Sequence, residues 1–152
     1  MKLKVPYYAQ EKPSSCGVAS LRMVFGYYNF HIPENEIINF GNLTNEEGVS
    51  REELTELAKE YDFCCNTKTK STLDDLVNAI EKEMPVIFDW NAPKLGPHFS
   101  VLYGYENKKL HIHDPYKIRN SMEYKKFLKY WNFGSPPRWH MICAPGPLLT
   151  KK

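Results

Sequence analysis

Ser14-Ser15-Cys16-Gly17-Val18-Ala19-Ser20-Leu21-Arg22-Met23-Val24-Phe25-Gly26-Tyr27-Tyr28 is the stretch on which the fold turns. Ser14 and Ser15 are residue types that cap helices. Behind them Val18, Leu21, Val24, Phe25 and Tyr28 recur at the spacing of one helical face. A helix is therefore predicted to open at Cys16-Gly17. A cysteine at that place meets unpaired N–H groups and the positive end of the helix dipole, a setting that favours thiolate, the reactive form of cysteine. The same dipole favours an oxyanion beside the sulfur, and Gly17 leaves room for a substrate backbone to approach. Taken alone, Cys-Gly is most simply a small apolar residue at the foot of a core helix. The rest of the chain decides between the two readings.

Downstream, the first half of the chain continues as helix. A short helix follows Pro33 through Glu36, Ile37 and Phe40. Ser50-Arg51-Glu52-Glu53 is a capping box that opens a helix with Leu54, Leu57, Ala58 and Tyr61 on one stripe. A fourth helix begins near Thr72 with Leu73, Leu76, Val77 and Ile80. The second half reads as strands: Pro85 to Trp90, Phe99 to Tyr105, Leu110 to His113 and Arg138 to Ala144, with a helix over Met122 to Trp131. Helices first and an antiparallel sheet afterwards is the α+β pattern. One domain is expected over 1–144, followed by a flexible tail over 145–152.

His98 closes the segment Asn91-Ala-Pro-Lys-Leu-Gly-Pro-His98, which reads as a long loop feeding a strand. A histidine there is held by the sheet while the loop admits substrate. Asp114 ends the returning strand, since Pro115 closes it. Hairpin register then provides a test. If Tyr105 pairs with Leu110 throughout, Asp114 falls opposite Val101 and faces away from His98. If the register is odd, or a bulge intervenes, Asp114 lies opposite Ser100 on the His98 face, diagonal to it and within reach of long polar side chains. A joint role for His98 and Asp114 requires one of these, and one is predicted. Otherwise His98 is a loop histidine and Asp114 an Asp-Pro turn.

Gln10 lies upstream of Cys16 across the loop Glu11-Lys-Pro-Ser-Ser15. A neutral N–H donor beside the Cys16 backbone N–H is one way to receive an oxyanion, although a loop glutamine read alone is uninformative. His111 and His113 share a strand face, yet no third ligand is evident, so no metal is expected. The four cysteines, Cys16, Cys64, Cys65 and Cys143, contain no C-x-x-C pair that would mark structural zinc. No cofactor is expected.

The 152 residues suffice for one core. Net charge is +2, too mild to argue for nucleic acid, and the lysines around Lys125, Lys126 and Lys129 read as a solvated helix face. Mean hydropathy is -0.53 and no apolar run approaches a membrane span. The opening Met-Lys-Leu-Lys-Val-Pro-Tyr-Tyr has no apolar stretch of the export type. A cytoplasmic protein with reduced cysteines is expected.

Taken in order, the segments Val5-Pro-Tyr-Tyr-Ala-Gln10, Cys16-Gly-Val-Ala-Ser-Leu-Arg-Met23, Gly48-Val-Ser50, Met84-Pro-Val-Ile-Phe88, His98-Phe-Ser-Val-Leu-Tyr-Gly104 and His113-Asp-Pro115 resemble the bacteriocin-processing cysteine peptidases. That family forms the papain-like domain at the front of many peptide-exporting ABC transporters and has standalone relatives. The resemblance covers nearly the whole chain, and the helix near Phe127 to Trp131 looks like the family's closing helix. It implies a papain-like fold and a peptide or protein substrate, with a transporter or other docking partner in the picture. It also implies roles: Cys16 as nucleophile, His98 as its base, Asp114 orienting the histidine, and Gln10 in the oxyanion hole. Another acyl transfer on the same scaffold (amidase, deamidase or transglutaminase-like) and a silent peptide-binding module are the competing readings.

Overall fold

The computed structural model describes residues 1–44, 48–117 and 121–146. Helix α1 spans Cys16–Tyr27, α2 Glu34–Phe40, α3 Arg51–Glu60, α4 Leu73–Glu81 and α5 Tyr124–Trp131. Ser50 and Thr72 each close a capping box, with Glu53 and Asp75. Ser15 occupies the N-cap position of α1, but its hydroxyl makes no capping bond; it is engaged with Lys12 instead. Helix α1 is buried on almost every side, because it runs through the middle of the domain with β3 on one flank and α2 and α3 on others.

Six strands form one antiparallel sheet: β1 Phe63–Lys68, β2 Val86–Ala92, β3 Gly96–Glu106, β4 Lys109–His113, β5 Met122–Glu123 and β6 His140–Pro145, in the order β1-β6-β2-β3-β4-β5. Side chains alternate along β2. Phe88 and Trp90 meet Phe127 of α5, while Asp89 between them reaches Arg51 of α3. Helices thus cover both faces, and the aromatic core lies under α5.

The structure departs from the sequence reading in places, among them Met122–Glu123, which pair with β4 as a short strand before α5 begins. Strand β1 was not legible, since Phe-Cys-Cys-Asn-Thr-Lys has neither apolar alternation nor length. It is strand because it pairs with β6 over its whole span, from Phe63 opposite Pro145 to Lys68 opposite His140. A further change concerns Asn91 to Pro97. These residues are not a long loop: β2 and β3 continue as a ribbon to Ala92 opposite Gly96, leaving Pro93 to Leu95 as the turn. Pro and Gly punctuate loops in sequence, but a proline is tolerated in a ribbon that projects past its neighbours. At the chain end, Pro145 still pairs with Phe63 and the Gly146 N–H donates to Asp62 O (2.7 Å); 147–152, the remainder of the predicted tail, lie outside the described residues.

Candidate active site

Cys16 is the first residue of α1 and is partly exposed. Strand β4 stops at His113, so the start of β3 runs on with no strand beside that edge among the described residues. There the Phe99 backbone N–H donates to Cys16 Sγ (3.5 Å). Gly17 holds the helix start against this edge: a Cβ on it would lie 2.6 Å from Val49 Cγ2 and 3.2 Å from the Phe99 ring. The space beside Gly17 is therefore filled by the protein's own core and is not left for substrate, contrary to the expectation from sequence.

The hairpin test resolves through a bulge. Asn107 and Lys108 both take positive φ, in a two-residue turn between Glu106 and Lys109, and Tyr105 pairs with Leu110. Between Leu102 and Gly104 the register shifts, with Tyr103 as the extra residue, so that Val101 pairs with His113. The next position places Asp114 opposite Ser100, on the His98 face. His98 Nε2 donates to Asp114 Oδ1 at 2.6 Å, with the histidine side chain 8% exposed and the aspartate fully buried. Asp114 is fixed in turn: the Tyr116 N–H donates to the same Oδ1 (2.9 Å) and the Tyr7 hydroxyl donates to its backbone carbonyl (2.8 Å).

His98 bonds to Asp114 and also stands close enough to Cys16 for the sulfur to favour its protonated form. Burial alone would push its imidazolium to give up the proton. The bonds to Asp114 and Cys16 and the charges on both outweigh burial and raise the histidine to about 9. A sulfur beside an imidazole that is bonded to a buried carboxylate and raised in pKa is an arrangement suited to nucleophilic attack on a carbonyl.

Gln10 sits beside Cys16 at the cleft, yet its amide is not idle. Nε2 donates to Lys12 O (2.9 Å) and Pro13 O (3.1 Å), which occupies both of its hydrogens. Oxyanion donation from this side chain needs one of those bonds to be exchanged.

The cleft in front of Cys16 and His98 has a volume of about 1110 Å³. Its walls include Val49, Leu95, Pro97, Trp139 and the loop Phe133 to Pro136. That loop is pinned by Arg51, which sequence reasoning missed. The guanidinium grips Asp89 with two bonds (Nε to Oδ2 2.6 Å, Nη2 to Oδ1 2.9 Å) and also donates to Pro136 O (2.8 Å) and Phe133 O (3.3 Å). Burial pushes the Asp89 carboxyl up, against the opposing pull of Arg51. The available signal was an aspartate inside the apolar run of β2, which requires a buried partner.

His113 donates to Val5 O (3.0 Å) and stacks on Tyr103 (ring centroids 4.0 Å apart), while His111 lies 3.2 Å from Glu106. Among the described residues no group of three or more His, Cys, Asp or Glu side chains could hold a metal, and no helix is long and apolar enough to cross a membrane.

Comparison with known proteins bears on this site. The family model for the peptidase C39 family matches residues 4–135. Among curated proteins, the mesentericin-Y105 transport/processing ATP-binding protein MesD of Leuconostoc mesenteroides is 29% identical over 114 residues, which is 74% of this chain and 15% of that protein. The chain thus spans about 15% of the length of that relative. Among solved structures, the peptidase domain of Streptococcus ComA, a bifunctional ABC transporter, superposes with a TM-score of 0.75 at 23% identity, covering 91% of this chain and 96% of that one. A double glycine motif protease from an AMS/PCAT transporter, in complex with its leader peptide, gives 0.72 at 24% identity, covering 95% and 94%. A C39-like peptidase from Bacillus anthracis gives 0.75 at 19% identity, covering 95% and 98%. At these identities the superpositions speak for the fold.

Proposed function

Because the chain belongs to the peptidase C39 family and is a cysteine peptidase domain of the bacteriocin-processing type, we propose that it hydrolyses a peptide bond with Cys16 as nucleophile, His98 as general base and acid, and Asp114 orienting His98. The observation that carries this reading is His98 held between the Cys16 sulfur and the buried Asp114 carboxylate. His98 takes the thiol proton and keeps it as imidazolium, because Asp114 stabilises that form. The thiolate attacks the scissile carbonyl carbon, and the carbonyl oxygen becomes an oxyanion over the first turn of α1. The Cys16 backbone N–H and the Gln10 amide receive it, once Gln10 releases Lys12 O or Pro13 O. His98 then gives its proton to the departing amine, leaving an acyl-enzyme. It next deprotonates a water that attacks the thioester and releases the acid.

The substrate we propose is a peptide lying across the cleft between the Phe133–Pro136 loop and the β2–β3 ribbon. One structural relative holds a leader peptide, and the curated relative is a transport and processing protein. A leader-bearing precursor is accordingly the substrate class to try first, with a transporter as the partner.

The test is the rate of iodoacetamide alkylation at each cysteine against pH, followed by mass spectrometry, in the protein and in His98→Ala. Reaction of Cys16 well below pH 7, lost without His98, supports the assembled pair. A Cys16 that alkylates like a free thiol in both proteins, near the ordinary ~8.5, overturns it. Incubation with leader-bearing precursors then separates cleaved backbone from an altered side chain or a new isopeptide bond.

A further inference from the structure

Glu34 is the first residue of α2 and is only 1% exposed. A carboxylate so buried must be satisfied by donors, and the donors nearest to it belong to one segment. The Glu11 backbone N–H donates to both of its oxygens (3.3 and 3.1 Å). The loop between Gln10 and Cys16 is therefore fastened, one residue from Gln10, by a side chain from another helix.

The fastening continues inside the loop. Ser15 Oγ accepts from the Lys12 N–H (3.0 Å) and donates to Lys12 O (3.0 Å), and Lys12 O also receives the Gln10 amide (2.9 Å). Ser15, Lys12 and Gln10 Nε2 are thus joined within the loop, and Glu34 holds that loop at the Glu11 N–H, next to Gln10. The side chain of Glu11 itself turns the other way, to Arg22 (3.2 Å), so the loop leans on Glu34 through its backbone. Glu34 does not line the cleft.

We propose that Glu34 is a positioning residue for the oxyanion hole: by anchoring the Glu11 backbone it sets the spacing between the Gln10 amide and the Cys16 backbone N–H. This rests on the peptidase reading above. Its consequence is selective. Donors aimed at a developing oxyanion act on acyl transfer, whereas displacement at a saturated carbon develops no oxyanion and does not use them.

The experiment compares two reactions of Cys16 in the full chain. The first is acylation by p-nitrophenyl acetate, in which the thiolate adds to the acetyl carbonyl and expels p-nitrophenolate. The second is alkylation by iodoacetamide, in which the thiolate displaces iodide. Glu34→Ala is expected to slow acylation about ten-fold or more while alkylation stays within about two-fold of the parent. Glu34→Gln keeps one acceptor for the Glu11 N–H and is expected to recover most of the acylation rate. Should Glu34→Ala fail to fold, Ser15→Ala loosens the same loop at Lys12, which also holds the Gln10 amide, and is expected to show the same selective loss. Equal loss in both reactions, or no loss in either, overturns the positioning role. If the parent Cys16 is sluggish in both, the peptidase reading itself fails and this proposal with it.

Discussion

Asp114 accepts the His98 Nε2 proton at 2.6 Å only because Tyr103 is an extra residue in β3. The tight Asn107-Lys108 turn starts the hairpin in the register that would turn Asp114 away. The bulge corrects it before the ladder ends. The insertion is itself held: Tyr103 stacks on His113, its carbonyl accepts the Leu3 N–H (2.7 Å), and Met1 O packs 2.8 Å from where a Gly104 Cβ would stand. The N-terminal segment thus locks the feature that brings the two residues to one face.

The first prediction concerns the charge on His98. Its folded value is raised to about 9, above the ordinary 6.5, so the protonated form stabilises the fold. That contribution is fully present below about pH 6.5 and is lost as pH rises through about 9. In Asp114→Asn, burial remains and the carboxylate is gone, so the midpoint falls by about two units or more. An NMR titration of the His98 ring measures this directly. Urea denaturation between pH 6 and pH 9.5 should show the parent losing stability across that window and the variant losing much less. An unmoved midpoint would mean that Asp114 does not set the protonation of His98.

A second prediction follows from Arg51 and Asp89. Removing one member of a buried pair strands the other charge, at a cost of about 3–5 kcal/mol. Asp89→Ala should therefore be strongly destabilised in urea denaturation. It should also free the Phe133–Pro136 loop, because Arg51 holds that loop while itself held by Asp89. Limited proteolysis within this loop should accelerate in Asp89→Ala under conditions where the rest of the chain stays folded.

Gly17→Ala provides a third. The new methyl would stand 2.6 Å from Val49 Cγ2, and overpacking of that kind costs about 1–3 kcal/mol. Relief requires Val49 or the start of α1 to shift, and a shift of α1 carries Cys16 with it. Thermal melting should fall, and Cys16 alkylation at neutral pH should slow relative to Cys64, which is exposed on β1.

The parts of this molecule that were legible in sequence are those with local causes. The capping box at Ser50, the helix start near Thr72 and the apolar spacing behind Cys16 are each written within a few residues. Register arithmetic on the β3–β4 hairpin showed that a bulge or an odd register was needed, since side-chain direction alternates strictly along a strand. Its location at Tyr103 depends on the N-terminal segment packed above it, and no local pattern marks that. Strand β1 exists through its partner β6, far along the chain. Arg51 with Asp89, and Glu34 with the Glu11–Ser15 loop, are pairings across the tertiary structure. In sequence each leaves only a charged residue in an apolar or unremarkable setting.

Cys65 and Cys143 give the last prediction. They stand directly opposite each other on β1 and β6, with sulfurs 3.3 Å apart. The hydrogen bond from Cys143 lowers the Cys65 thiol against the effect of burial, and the same bond together with burial pushes Cys143 well up. Cys65 is thus the more acidic thiol of the pair and Cys143 its buried, less acidic partner. With diamide, the Cys65 thiolate adds to the azo bond. The Cys143 sulfur then displaces the adduct from Cys65, so that two electrons and two protons pass to the reagent as the hydrazine. The resulting disulfide joins residues separated by 78 positions and should stabilise the fold by about 4 kcal/mol on the chain-entropy account. Peptide mapping should find the Cys65–Cys143 bond with Cys16 still free in a sample protected at Cys16, and the melting temperature should rise by several degrees. Cys143→Ser should abolish both. A stable single adduct on Cys65, with Cys143 unreacted, would mean that the two strands cannot bring the sulfurs to bonding distance.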